Sequence, residues 1–242
     1  MIKFFRHIRK DLMEKNKTGK YFKYAIGEIV LVVIGILIAL QINNWNENRK
    51  LINTQNAIYL TVKEDLETDI LEFEAFIKDF ETSKKPAFEA VLNKELTKED
   101  WKNNPGYLVV MKGYEDLGVS QRGVNQLKTL SGHSNGLEHG LTSGINKFYN
   151  ERIVEFNIGT EELGNQHERN YIYFQNFGWY ASFLMNNKTD GFIDSFYNDP
   201  TIKSRIATYY FIYNIFITEL KEYTANAKGL IVNIEHYLSA NQ

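Results

Sequence analysis

The chain contains no cysteine, which excludes disulfides, thiolate metal sites and cysteine nucleophiles together. Proline is scarce as well, three in 242 residues, so there is little material for rigid linkers or proline-rich disordered segments. Missing too are a phosphate-binding loop, a dinucleotide fingerprint, a nucleophile elbow and a kinase signature. The net charge is only -2, and that gives no electrostatic case for binding nucleic acid. What is present is 43% hydrophobic and 14% aromatic, the composition of a folded chain with room for one ordinary domain and a small appendage.

The small net charge conceals an asymmetry. Residues 1–28 carry eight basic side chains (Lys3, Arg6, Arg9, Lys10, Lys15, Lys17, Lys20 and Lys23) against Asp11, Glu14 and Glu28, leaving 20 basic and 27 acidic residues beyond them. Directly after this basic lead, Ile29 to Asn46 runs IVLVVIGILIALQINNWN without a charge. Eighteen helical residues at ~1.5 Å each reach about 27 Å, close to the hydrocarbon thickness of a bilayer. A buried soluble helix rarely lacks a polar face for so long. A cleaved signal peptide has a shorter basic region and a small residue at its last position, where Gln41 stands here. The run therefore reads as an uncleaved transmembrane anchor over residues 21–46, with Tyr21, Phe22, Tyr24 and Trp45 as interfacial aromatics.

Orientation follows from flanking charge. Eight basic residues precede the span and only Arg49 and Lys50 follow it closely, so the N-terminus is expected in the cytoplasm and residues 47–242 on the other side. In residues 1–20, Met1, Phe4, Phe5, Ile8 and Leu12 recur at helical spacing among Lys3, Arg6, Arg9 and Lys10. That is the pattern of a short amphipathic helix on an anionic lipid surface. Within the span Glu28, Val32, Gly35 and Ala39 share one stripe, and small residues there let a second helix approach closely. The plainer reading of Glu28 is that it reaches the headgroups beside Lys20 and Lys23.

Beyond the span, Ile52, Gln55, Tyr59, Val62, Leu66, Phe73, Ile77 and Phe80 advance in threes, fours and one full heptad, so the membrane helix is expected to continue outward. Unbroken from Tyr24 to Phe80 it would be about 85 Å long. A break is expected at Ser83 to Pro86, then a short helix from Pro86 to Leu96 and a turn at Asn103-Asn104-Pro105-Gly106. Tyr107 to Met111 (YLVVM) has strand character, Gly113 to Leu130 an interrupted helical pattern, and Ser131 to Gly140 the glycine and serine content of a loop. A helix is expected over Thr142 to Leu184, and a last one starts at Asp199-Pro200, a capping residue followed by proline. Its stripe of Ile202, Ile206, Tyr209, Tyr213, Phe216, Leu220, Tyr223, Ala227, Ile231, Ile234 and Leu238 scarcely misses a step. The fold expected is all-α, a single N-terminal transmembrane helix continuing into an elongated antiparallel helical bundle.

Chemistry is sparse in this pattern. His133, Glu138 and His139 share a glycine-rich loop, but their spacing matches no known zinc site. His167-Glu168-Arg169 falls mid-helix, where neighbours face different directions, and reads as surface. Glu64, Asp65, Glu67, Asp69, Glu72 and Glu74 interleave with Val62, Leu66, Ile70 and Phe73, the pattern of a solvated face opposite a buried one. No enzyme activity, cofactor or metal is expected. The aromatic group Tyr171, Tyr173, Phe174, Phe177, Trp179, Tyr180 and Phe183 surrounds its helix, and Tyr210 and Phe211 stand beside core positions. A core absorbs one side of such a group, which leaves the rest as candidate interface residues.

The stretch from Tyr24 to Arg49, YAIGEIVLVVIGILIALQINNWNENR, together with the opening MIKFFRHIRK, resembles the N-terminal signature of an uncharacterised family of single-pass membrane proteins of Bacteroidota. That resemblance implies an inner-membrane protein whose main domain lies in the periplasm, and it supplies no activity and no catalytic residues. The function expected is that of a scaffold or accessory subunit. Its partners would be the lipid bilayer and either further copies of the chain or another envelope membrane protein. The alternative is a ligand-sensing bundle that signals through the membrane helix to a separate partner.

Overall fold

The computed structural model describes residues 18–113, 116–131 and 140–240, and among them every regular element is helical. Helix α1 spans Thr18–Asp79. The chain divides into two units, Met1–Asn56 and Ala57–Gln242. The basic amphipathic segment expected before residue 18 and the loop carrying His133, Glu138 and His139 lie outside the described residues.

In the first unit, α1 is long and apolar enough to cross a membrane, and none of its apolar window is buried by the protein. Eleven of the fourteen residues from Ile29 to Ile42 are Val, Leu or Ile with roughly half or more of their surface exposed.

In the second unit the rest of α1 packs with two other long helices, α5 (Gly140–Phe174) and α8 (Pro200–Ala240). Between α1 and these lie a π-helical turn at Phe80–Lys84, α2 (Lys85–Asn93), α3 (Lys98–Asn103), a 3-10 helix at Pro105–Met111 and α4 (Arg122–Ser131). Two short helices, α6 (Tyr180–Asn186) and α7 (Asp190–Asn198), join α5 to α8.

The core is aromatic. Phe73 of α1 stacks on Phe156 of α5 at 5.4 Å and meets the edge of Tyr223 of α8 at 5.0 Å. Phe80 stacks on Tyr213 at 4.9 Å, and Phe148 lies against Tyr223 at 5.1 Å. Such pairs add about 0.5–1.5 kcal/mol each beyond the area they bury. They also give the direction of each helix. Along α1 and into the π-turn that follows it, Tyr59, Phe73 and Phe80 meet Tyr237, Tyr223 and Tyr213 in turn, so α8 runs against α1. Tyr59 and Phe73 meet Thr142 and Phe156, so α5 runs with α1. Two parallel neighbours need a return path, and the described residues between 80 and 131 supply it: α4 lies beside the part of α1 that belongs to the second unit, with Gly123 against Val62.

Several expected elements come out differently. No break occurs at Ser83 to Pro86, because the wider π-turn carries the helix through and Pro86 falls in the first turn of α2, where its missing N–H costs nothing. The YLVVM strand is instead the 3-10 helix: Pro105 opens it, no strand lies beside it among the described residues, and Val110 turns into the core. Among the described residues between Gly113 and Leu130, helix character is confined to α4. The long helix ends at Phe174 rather than Leu184, and the chain turns so that Trp179 reaches Phe192 at 5.6 Å and donates its indole N–H to Ser195 at 2.8 Å. The α8 start is as expected, with Asp199 accepting the Thr201 N–H at 2.9 Å.

Candidate functional site

Glu28, Val32, Gly35 and Ala39 lie on α1 in the first unit. Val32 is 54% exposed, Gly35 and Ala39 are exposed, and Glu28 is half-buried. A Cβ placed on Gly35 would meet nothing within 4 Å, so its small size is not required by this chain's own packing. Trp45, at the far end of the apolar run, is covered by the Arg49 guanidinium 5.8 Å from its ring centre, a pairing suited to a membrane interface.

The second unit holds a polar cluster where an apolar core would be expected. Asp65 and Asp69, one turn apart on α1, are both fully buried. Asp65 accepts from Arg122 Nε at 2.8 Å and from the Gly123 backbone N–H at 2.7 Å. Asp69 accepts the Ser120 backbone N–H at 3.0 Å and the Tyr223 hydroxyl at 2.5 Å. The N-terminus of α4, whose first N–H groups have no partner within the helix, is thus capped by Asp65 from another helix, while Asp69 holds the chain just before it at Ser120. Only glycine fits at 123, since a Cβ there would lie 2.5 Å from the Val62 backbone nitrogen.

The electrostatics are unbalanced. Arg122 supplies the cation, but its side chain is 65% exposed and engages Asp65, not Asp69. Burial pushes the Asp69 carboxyl above the ordinary aspartate range, opposed by its bonds from Tyr223 and Ser120 and reinforced by Asp65. Burial and the same two carboxylates hold the Tyr149 and Tyr223 hydroxyls well above the usual phenol value, so both stay protonated. The Tyr149 hydroxyl is buried without a hydrogen-bond partner.

This cluster corrects the expectation that the acidic run from Glu64 to Glu74 is uniformly solvated. Glu64, Glu67, Glu72 and Glu74 are exposed, whereas Asp65 and Asp69 occupy the core stripe. The signal was present: the stripe steps from Leu66 to Phe73 in one full heptad, and Asp69 is the position it skips.

The aromatic candidates divide. Phe174 and Tyr180 are buried, 3% and 8% exposed, and serve the core instead of a free face. Tyr173, Phe177, Trp179 and Tyr210 are half-buried against that core. Tyr171 and Phe211 are exposed, at 43% and 67%. Tyr210 donates to Glu89 at 3.1 Å, and Tyr173 donates to Asp199 at 2.5 Å while the Arg205 guanidinium lies 4.0 Å from its ring centre. His167, expected on the surface, is half-buried against Tyr209 at 6.1 Å, and burial pushes its imidazole below the ordinary value. Among the described residues, no three His, Cys, Asp or Glu side chains gather in a way that holds a metal ion.

Residues 28–103 match a family of unknown function (DUF6090). The match begins inside the stretch that carries the resemblance noted from sequence and covers the apolar run, the two buried aspartates and the segment as far as α3. No curated protein and no solved structure matches the chain.

Proposed function

We propose that this chain is a membrane-anchored scaffold or accessory subunit. In this reading it is held in the inner membrane by α1, its first residues are cytoplasmic, and a periplasmic bundle with α8 antiparallel to both α1 and α5 makes its contacts. The observation that carries the reading is the contrast between the units. The second has an aromatic core of its own, while the first leaves eleven aliphatic side chains within fourteen consecutive residues, on every face of the helix, uncovered. Covering each is favourable by about 1.5–3 kcal/mol, and lipid is the solvent that covers all faces of one helix at once. The eight basic residues before the span against Arg49 and Lys50 after it support the orientation.

The stripe of Glu28, Val32, Gly35 and Ala39 is the proposed contact between copies or with another membrane helix. Outside the membrane, the exposed Tyr171 and Phe211 are the aromatic contacts left after the core has taken its share. The test is mild detergent extraction of the tagged chain, with mass measurement of the particle and protease added from the periplasmic side. Assembly larger than one chain, with the C-terminal domain cut and the first residues protected, is the expected result. A particle of one chain alone, or release of the protein into buffer without detergent, overturns the proposal.

A further inference from the structure

We propose that Asp69 is a reversible proton site, and that a proton bound there tightens the hold of α4 on α1. Two carboxylates, Asp65 and Asp69, are fully buried within one helical turn, and like charges so placed resist being ionised together. From α4 the facing charge is Arg122, which engages Asp65 and lies 3.9 Å from the exposed Glu64. From α5 and α8 the facing groups are the Tyr149 and Tyr223 hydroxyls, which carry no charge. With both aspartates ionised the buried cluster is one negative charge in excess, and that excess falls on Asp69.

A proton on Asp69 removes the excess without breaking the clasp. Oδ1 still accepts the Ser120 N–H, and of the two hydrogens then carried by Oδ2 and the Tyr223 oxygen, one lies in the 2.5 Å bond between them and the other points away from it. Tyr149 is a second, independent sign of the same imbalance: its hydroxyl is fully buried, has no hydrogen-bond partner and feels both carboxylates. The sign of the effect follows. Since burial raises the Asp69 pKa in the clasped state, that state holds the proton more firmly than an opened one, and acid favours the clasp. This is the reverse of an ordinary carboxylate cap, which acid weakens.

The experiment is amide exchange at Ser120 and Gly123 in the full-length protein in detergent, as protection factors from about pH 8 down to about pH 4, near the ordinary aspartate value, with Asp69→Asn as comparison. The wild-type protein should gain protection as pH falls, by up to about tenfold per pH unit for a single linked proton. Asp69→Asn, uncharged and able to keep both hydrogen bonds, should be protected at every pH and show no such slope. Wild-type protection that is flat, or that falls with acid, overturns the proposal. So does an Asp69→Asn protein less protected than wild type throughout, because the ionised carboxylate would then be the better cap. Should that variant not fold, the carboxyl carbon of Asp69 is titrated by NMR in the wild type, and a midpoint at or below the ordinary aspartate value overturns the proposal equally.

Discussion

Replacing Gly123 with alanine should lift the N-terminus of α4 from its seat while leaving the three long helices packed. The new Cβ would stand 2.5 Å from the Val62 nitrogen, 2.6 Å from its Cγ2 and 2.7 Å from its Cα. The first and last are backbone atoms of α1 and have no rotamer to adopt, so α4 must withdraw by roughly an ångström, the gap to ordinary contact at about 3.5 Å. That motion stretches the 2.7 Å bond from the Gly123 N–H to Asp65 beyond hydrogen-bonding range. Overpacking of this kind costs about 1–3 kcal/mol, and a lost hydrogen bond to a buried charged oxygen about 1.5–3 kcal/mol. A destabilisation of about 2.5–6 kcal/mol is expected from the two together, a large share of a domain's usual ~5–15 kcal/mol. The assay is urea unfolding of the detergent-solubilised chain followed by circular dichroism, with Gly229→Ala as the control. A Cβ on Gly229, inside α8, meets nothing within 4 Å, so alanine there should stabilise by roughly 0.5–1 kcal/mol. If Gly123→Ala lies within about 1 kcal/mol of wild type, below the overpacking range, the close approach of α4 to α1 is refuted.

Phe73→Ala removes a fully buried ring that stacks on Phe156 and meets Tyr223, and should cost about 3–5 kcal/mol in the same unfolding assay. Substituting leucine at both Gly35 and Ala39 should leave that transition unmoved but shift the detergent particle toward one chain per micelle; unchanged assembly removes the small-residue contact from the account. Phe211→Ser, at a side chain 67% exposed, should alter stability by no more than about 0.5 kcal/mol, and a larger loss would mean the ring is packed. His167 gives a pH dependence of opposite sign to that of Asp69. Burial depresses its pKa, so the unfolded chain takes up this proton first, and the stability contributed by the neutral imidazole is lost as pH falls below about 6.5. His167→Gln should flatten the decline in stability on that side, read from unfolding midpoints at a series of pH values.

Much of the helical framework is legible from spacing alone. The α8 stripe and its Asp199-Pro200 start are local signals, one a period and the other a cap, and neither depends on distant residues. The YLVVM run misleads because a short apolar segment has the same composition in a strand as in a buried turn, and only the presence or absence of a pairing edge separates them. Pro86 misleads for a related reason. Proline stops a helix from its interior but fits its first turn, and the preceding π-turn places it there. The two aspartates are hardest to read, since a charge on a core stripe looks like an error in the stripe until the donors from α4 are brought beside it.

By itself, the amino-acid sequence determined what each segment must do with its own surface. An uncharged run about as long as the hydrocarbon layer of a bilayer is thick has no soluble way to hide all its faces, and helical periods three and four residues apart mark which side of each later helix is covered. Only the tertiary structure decided the pairings: that α5 runs with α1 and α8 against both, that residues 80–131 fold back along α1, and that Asp65 and Asp69 meet Ser120, Arg122 and Gly123 more than fifty residues away. The physical reason is that burial of a polar group is tolerable only with a partner in place, and the partner's position is a property of the folded chain rather than of any local stretch.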